Sequence, residues 1–285
     1  MVLPTHRLSR RNFLGGLGTF FSGAVFISFG APPGLAKKKK APVPPPVSNL
    51  STQIESLGRQ LLATPLDESD PLTSQVQQLV LDDLKNWFAK NPPGPSADGT
   101  PYDVRVRREM EFAFSRLHYP VFGQPRVLSV PWNGSLITAC GYTLGWSDFD
   151  RANVVAVYET RDGKTRRGGV DHFVQRTDLH FRIFPGPDSS SFRFLAYGLR
   201  LGKSQPRLSA ALYGYDGHSL KSLWQVHDMY DGKLELDNGV LVIRYLKEEE
   251  YINALTYNQK PPRHMATYKP SAQGLTLMSD REIPF

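Results

Sequence analysis

Pro131-Trp132-Asn133-Gly134-Ser135-Leu136-Ile137-Thr138-Ala139-Cys140 is the stretch that decides the fold class. An Asn-Gly pair accepts positive φ at both central positions of a tight hairpin turn, and apolar runs flank it on both sides. The same punctuation recurs. Asp162-Gly163, Asp216-Gly217, Asp231-Gly232 and Asn238-Gly239 separate short runs rich in Val, Ile, Leu, Phe and Tyr from Pro125 onward. Residues 121–285 are therefore expected to form an antiparallel β domain, a meander folded as a sheet or sandwich with little helix.

A weak internal repeat runs through this half. Residues 138–145 resemble residues 194–202, and each is followed by a strand ending in Tyr and then by Asp-Gly: Tyr158 to Gly163, and Tyr213 to Gly217. Thr267-Tyr268 to Gly274 is a fainter third copy. The spacing exceeds the ~40–50 residues of a propeller blade. Three units are also fewer than the roughly four blades a closed propeller needs. The expectation is at most an incomplete propeller-like repeat.

Upstream, residues 50–120 read as helices. Thr52 and Glu55 have capping-box spacing, with Leu57, Leu61 and Leu62 on one face and Pro65 as the stop. Asp70-Pro71 pairs an N-cap with a first-turn proline, and Leu72, Val76, Leu79, Val80, Leu84, Trp87 and Phe88 follow at helical spacing up to Asn91-Pro92-Pro93-Gly94. Thr100-Pro101 opens a third helix, with Val106, Met110, Phe114 and Leu117 inward and Pro120 at its end. The class is α+β: a short N-terminal helical cap followed by a mainly antiparallel β meander.

The first forty residues are of another kind. Ser9-Arg10-Arg11-Asn12-Phe13-Leu14 leads into an apolar, glycine-containing stretch that runs to Phe29. Pro32-Pro33 breaks it, and Gly34-Leu35-Ala36 sets small residues three and one positions before a cut after Ala36. The pattern resembles the twin-arginine (Tat) signal peptide of exported bacterial proteins, over residues 1–36 only. The resemblance implies export in the folded state, the Tat translocase and signal peptidase as partners, and a periplasmic or extracellular destination. The apolar stretch is shorter than the ~20 residues a membrane span needs, so no stable span is expected after cleavage; the alternative is an uncleaved amino-terminal membrane anchor. Residues 37–49 carry Lys37, Lys38, Lys39 and Lys40 and then Pro42, Pro44, Pro45 and Pro46, the composition of an extended linker. Past residue 36 the chain resembles no characterised family.

The formal net charge of +7 comes from this leader. Of 34 Lys and Arg residues, seven lie in the first forty positions, where there is no acid; 27 basic residues then face 27 acidic ones in the body. A neutral body lacks the phosphate-neutralising surface that nucleic-acid affinity depends on. Cys140 is the only cysteine, which excludes disulfides within the chain and four-thiolate metal sites. It sits in an apolar run and reads as a small buried hydrophobe.

Candidate chemistry is sparse. Asp171-His172 and Asp178-Leu179-His180 bring acids and imidazoles close in sequence, and His172, Asp178 and His180 are of types that ligate zinc, although their spacing matches no known site. His227-Asp228 points to opposite strand faces, so it makes no triad. Glu248-Glu249-Glu250 reads as a solvated turn or short helix, where paired carboxylates need a further acid supplied by the fold. There is no Gly-x-Ser-x-Gly elbow and no Walker, Rossmann, haem-attachment or HExxH pattern, and Gly198-Leu199-Arg200-Leu201-Gly202 lacks the helix start of a phosphate loop. No motif implies a cofactor. Trp146, in a Gly145-to-Asp148 loop, and Tyr197 and Trp224 are the aromatic candidates for binding. The expected role is a non-catalytic binding or structural β domain of the cell envelope, with an envelope protein or glycan as partner. The alternative is an exported enzyme, hydrolytic or redox, that depends on a metal or cofactor.

Overall fold

The structure, a computed structural model, describes residues 49–64, 70–94, 96–115, 125–144, 152–173, 179–186, 190–200 and 205–284. It is mostly antiparallel β, with eleven strands in two sheets and a few helices. Helices α1 (Asn49–Ala63), α2 (Asp70–Lys90) and α3 (Tyr102–Ser115) come first. Pro71 falls in the first turn of α2 and Pro101 just ahead of α3, where a missing N–H leaves no bond unmade. The expected start of α1 is corrected: the helix begins at Asn49, so Thr52 lies inside it rather than capping it. Capping-box spacing also occurs within helices, and here Glu55 pairs with Arg59 one turn further on.

Strands β1 (Arg126–Trp132), β2 (Ser135–Leu144), β3 (Ala152–Arg161) and β4 (Lys164–Phe173) form one sheet in sequence order. The second sheet contains β5 (His180–Ile183), β6 (Phe192–Arg200), β7 (Arg207–Tyr215), β8 (Leu220–Asp237), β9 (Val240–Leu246), β10 (Arg263–Ser271) and β11 (Gly274–Ile283), again in order, with α4 (Glu248–Thr256) between β9 and β10. Three of the expected turns are two-residue hairpins with both φ angles positive: 47° and 73° at Asn133-Gly134, 49° and 71° at Asp162-Gly163, 47° and 79° at Asn238-Gly239. Asp231-Gly232 is different. It lies inside β8, an 18-residue strand, and no chain reversal occurs there. Asp231 has φ 44° because a bulge uses the same left-handed backbone as a hairpin turn, and the dipeptide alone does not separate the two.

The bulge bends β8. Leu220 to Tyr230 pair with β7, and Tyr230 to Asp237 pair with β9, so the strand carries a neighbour on each half. Side-chain alternation then sorts three apolar layers. Cys140, Tyr142, Val154, Ala156 and Tyr158 on one face of the first sheet pack against Val80, Leu84, Phe88 and Met110 of the helices. Ile137, Ala139, Val155 and Val157 on its other face meet Phe194, Ala211, Tyr213 and Tyr215 of β6 and β7. The far side of β6 and β7, Leu195, Leu208 and Leu212, is covered by Leu241, Ile243, Ala266 and Tyr268 of β9 and β10.

Polar bonds fasten the layers. The Tyr158 hydroxyl donates to the Leu81 carbonyl at 2.9 Å and that of Tyr142 to Gln77 at 3.4 Å, tying α2 to the first sheet. Arg193, buried on β6, donates to the carbonyls of Ser271 (2.8 Å) and Ala272 (3.0 Å) and so holds the β10–β11 turn.

Candidate functional site

The bend in β8 opens a cleft. Asp228 and Asp231 have φ of 53° and 44°, and the pairing register shifts on both sides of them. Gly232 makes the bend sterically possible: a Cβ there would lie 2.5 Å from Leu208 Cβ and 2.9 Å from the Met229 carbonyl oxygen. The displaced segment, with His227 and Asp228, forms one wall of an open cleft of about 490 Å³. The opposite wall is the end of β9 and the first turn of α4, from Tyr245 to Glu250. His227-Asp228 and Glu248-Glu249-Glu250, unremarkable when read separately in the sequence, thus face one another.

Three of the four carboxylates are held by structural partners. Asp228 lies 3.3 Å from the Arg200 guanidinium, and its backbone N–H donates to Ser209 Oγ at 3.1 Å. Glu248 accepts from the Tyr230 hydroxyl at 2.6 Å. Arg207 stacks over that tyrosine ring, 4.3 Å from its centroid, and donates to its oxygen. Burial first, and then the bond to Glu248, push the Tyr230 hydroxyl above its ordinary pKa. Glu250 meets His264 Nε2 at 2.6 Å, which selects the tautomer with the proton on Nε2 when the ring is neutral. His264 is itself buried, with no hydrogen-bond partner at Nδ1 among the described residues. Glu249 is exposed. The cleft therefore presents anchored acceptors, one further carboxylate and the Tyr245 side chain to solvent. Such a surface accepts hydrogen bonds from hydroxyl or ammonium groups.

The residues singled out in the sequence are scattered. His172 is exposed on β4, and its backbone N–H donates to Asp171 Oδ1 at 2.9 Å. His180 is half-buried on β5 and stacks on Tyr197, with centroids 5.3 Å apart and planes at 25°. Trp224 packs edge-on against Tyr268, at 5.0 Å and 68°, on the layer between β7 and β10. Asp178 and Trp146 lie outside the described residues, as do Ser9, Arg10, Arg11, Phe13, Leu14 and the expected cut after Ala36. Among the described residues no group of three His, Cys, Asp or Glu side chains is placed to hold a metal ion.

Sequence reasoning missed Glu159. It is 5% exposed, on the face of β3 that meets the second sheet. It accepts from Ser135 Oγ at 2.7 Å, from the Tyr215 hydroxyl at 2.8 Å and from Arg166 Nε at 3.0 Å. Arg166 also donates to the Gly217 carbonyl, so four strands and one turn converge on a single carboxylate. Gly168 lets the Tyr215 ring approach, since a Cβ there would lie 2.4 Å from it. A second cross-sheet bond joins Tyr213 to Asp171; burial first, then Asp171, push the Tyr213 hydroxyl up. Tyr213 and Tyr215, two apart on β7, thus reach from one sheet to acids on the other.

Comparison with protein-family models, with curated proteins and with solved structures gives no match. Among the described residues no helix is long and apolar enough to cross a membrane.

Proposed function

We propose that this chain is exported by the twin-arginine route to the periplasm or beyond, and acts there as a non-catalytic binding protein of the cell envelope. Its ligand is a hydroxyl-rich glycan held in the cleft between the β8 bend and α4. The observation that supports this reading is the opposition of Asp228 to Glu248, Glu249 and Glu250 across that cleft. Carboxylates fixed by Arg200, Tyr230 and His264 are pre-oriented acceptors, and little ordering entropy is lost when a sugar binds them. The test is calorimetric titration of the purified protein with envelope saccharides. A Kd of roughly 10 μM to 1 mM is expected for one class, weakened at least about tenfold by Asp228→Asn or Glu249→Gln. Failure of every saccharide, or equal binding by both variants, refutes the assignment.

Export has its own test. Arg10→Lys with Arg11→Lys should retain the precursor in the cytoplasm; normal export of that variant would sink the claim. The same reading takes the helices as a cap on the β domain and the repeated segments as an incomplete propeller-like repeat. Tyr158 to Gly163 and Tyr213 to Gly217 each run from a strand, β3 or β7, into the turn that follows it, and Tyr268 to Gly274 runs from β10 to the first residue of β11.

A second reading, an exported hydrolase, is favoured by the same facing carboxylates, which glycoside cleavage uses in pairs. Turnover of a saccharide, lost in Asp228→Asn, would replace the binding reading with this one. For a metal-dependent enzyme, metal stoichiometry of the purified protein is the check, with His172→Ala and His180→Ala removing it.

A further inference from the structure

The outer side of α4 carries a feature that neither the cleft nor the core explains. Tyr251 and Ala254 face inward and are buried, while Ile252 is 50% exposed, Leu255 60% and Tyr257, just past the helix, 71%. These are three of the seven large apolar side chains that stand exposed among the described residues. The segment is well ordered by its own bonds. Asn258 takes φ 53°, and the Gln259 N–H donates to the Ala254 carbonyl at 2.7 Å, closing the helix end. A frayed helix is therefore not the reason for the exposure.

Charge is divided along this stretch. Glu248 and Glu249 open it, and the exposed Lys260 follows its far end. Glu249 makes no hydrogen bond or ion pair within the described residues. Two such helices set antiparallel about a two-fold axis near Ala254 would bring Ile252 and Leu255 of both copies together. Each acidic end would then meet the other copy's Lys260, and the helix dipoles would oppose. An anionic lipid surface fits less well, because the acidic turn lies on the side that would approach it.

The geometry points to α4 as a self-docking surface, through which two copies of this chain form a two-fold dimer. A nine-residue helix pair buries less than the ~800 Å² per partner typical of stable complexes, so the dimer is weak and concentration-dependent.

Sedimentation equilibrium of the exported protein over a concentration series tests it. A reversible monomer–dimer equilibrium is expected, with Kd between about 10 μM and 1 mM. Leu255→Lys should weaken it at least about tenfold, with an unchanged far-ultraviolet circular dichroism spectrum. Lys260→Glu and Glu249→Lys should each weaken association, and the double variant should restore it. A strictly monomeric wild type overturns the proposal, as does a dimer that survives Leu255→Lys, or a double variant no better than the singles. Co-sedimentation of a monomeric wild type with vesicles of anionic phospholipid assigns the patch to a membrane surface and equally overturns it.

Discussion

Replacing Glu159 with alanine should remove the chemical joint between the two sheets, and its cost can be worked from the bonds it makes. Ser135 and Tyr215 are buried, and each would lose an ionised acceptor. An orphaned buried donor costs about 1–3 kcal/mol. Arg166 contributes little, because its side chain is 53% exposed and can return to water, as exposed pairs generally do for under ~1 kcal/mol. The parts are not additive, and about 3–5 kcal/mol is expected in all, the range for removing one member of a buried pair. At ~2–4 °C per kcal/mol this lowers Tm by roughly 6–20 °C, readable by calorimetry and by urea denaturation. The double variant with Tyr215→Phe isolates the bond: in the Glu159→Ala background the second change should cost at least ~1 kcal/mol less than in the wild type. pH gives an independent check. Burial raises the Glu159 carboxyl, but the bonds from Ser135, Tyr215 and Arg166, with the arginine's charge, outweigh it and hold the group below its ordinary value. A depressed folded-state pKa contributes stability above the unfolded value of ~4.3, and that contribution disappears as pH falls through the folded value. The gap between wild type and Glu159→Ala should be constant above pH ~5 and narrow below pH ~4. A loss under ~1 kcal/mol, or a gap that widens in acid, refutes the joint.

Other parts of the fold give sharper yes-or-no outcomes. Cys140 is 1% exposed and burial drives its thiol far above the ordinary range, so a maleimide at neutral pH should label it only after unfolding; rapid labelling of the native protein contradicts this. Tyr158→Phe should cost about 1 kcal/mol in urea denaturation by removing the hydroxyl's bond to the Leu81 carbonyl between α2 and β3, and a neutral result would remove that bond from the helix–sheet contact. Gly232→Ala should destabilise by about 1–3 kcal/mol and weaken any ligand of the cleft, since the new Cβ collides with Leu208; an unaffected variant would mean that the bend does not rely on close approach there.

What the sequence discloses follows the range of the forces involved. Hairpin turns are local: Asn133-Gly134 and Asn238-Gly239 take positive φ wherever they sit, so their strands can be read from the dipeptide and its flanks. Helix starts at Asp70-Pro71 and Thr100-Pro101 are local in the same sense. Asp231-Gly232 misleads because the left-handed backbone it favours serves a bulge as well as a reversal. The long-range polar joints leave no trace, since Tyr215 meets Glu159 across 56 residues and nothing near either one marks the other. Hydrophobic alternation in β6 and β7 shows two apolar faces without saying that the first sheet will cover one and the far strands of their own bent sheet the other.

The candidate cleft lies between these limits. Both of its walls are visible as short polar runs, His227-Asp228 and Glu248-Glu249-Glu250, yet about twenty residues separate them. Only the curvature of β8 makes them a site. A straight β8 would place His227 and Asp228 in a flat ladder beside β7, and β9 and β10 could not lie over Leu195 and Leu212. The bulge that opens the cleft is thus the one that closes the third apolar layer. Loss of that bend should cost stability and the cleft together, whereas a change confined to Glu249, exposed and outside the core, should act on the cleft and on association through α4 while leaving stability unchanged. That contrast separates a site that the fold carries from one that the fold consists of.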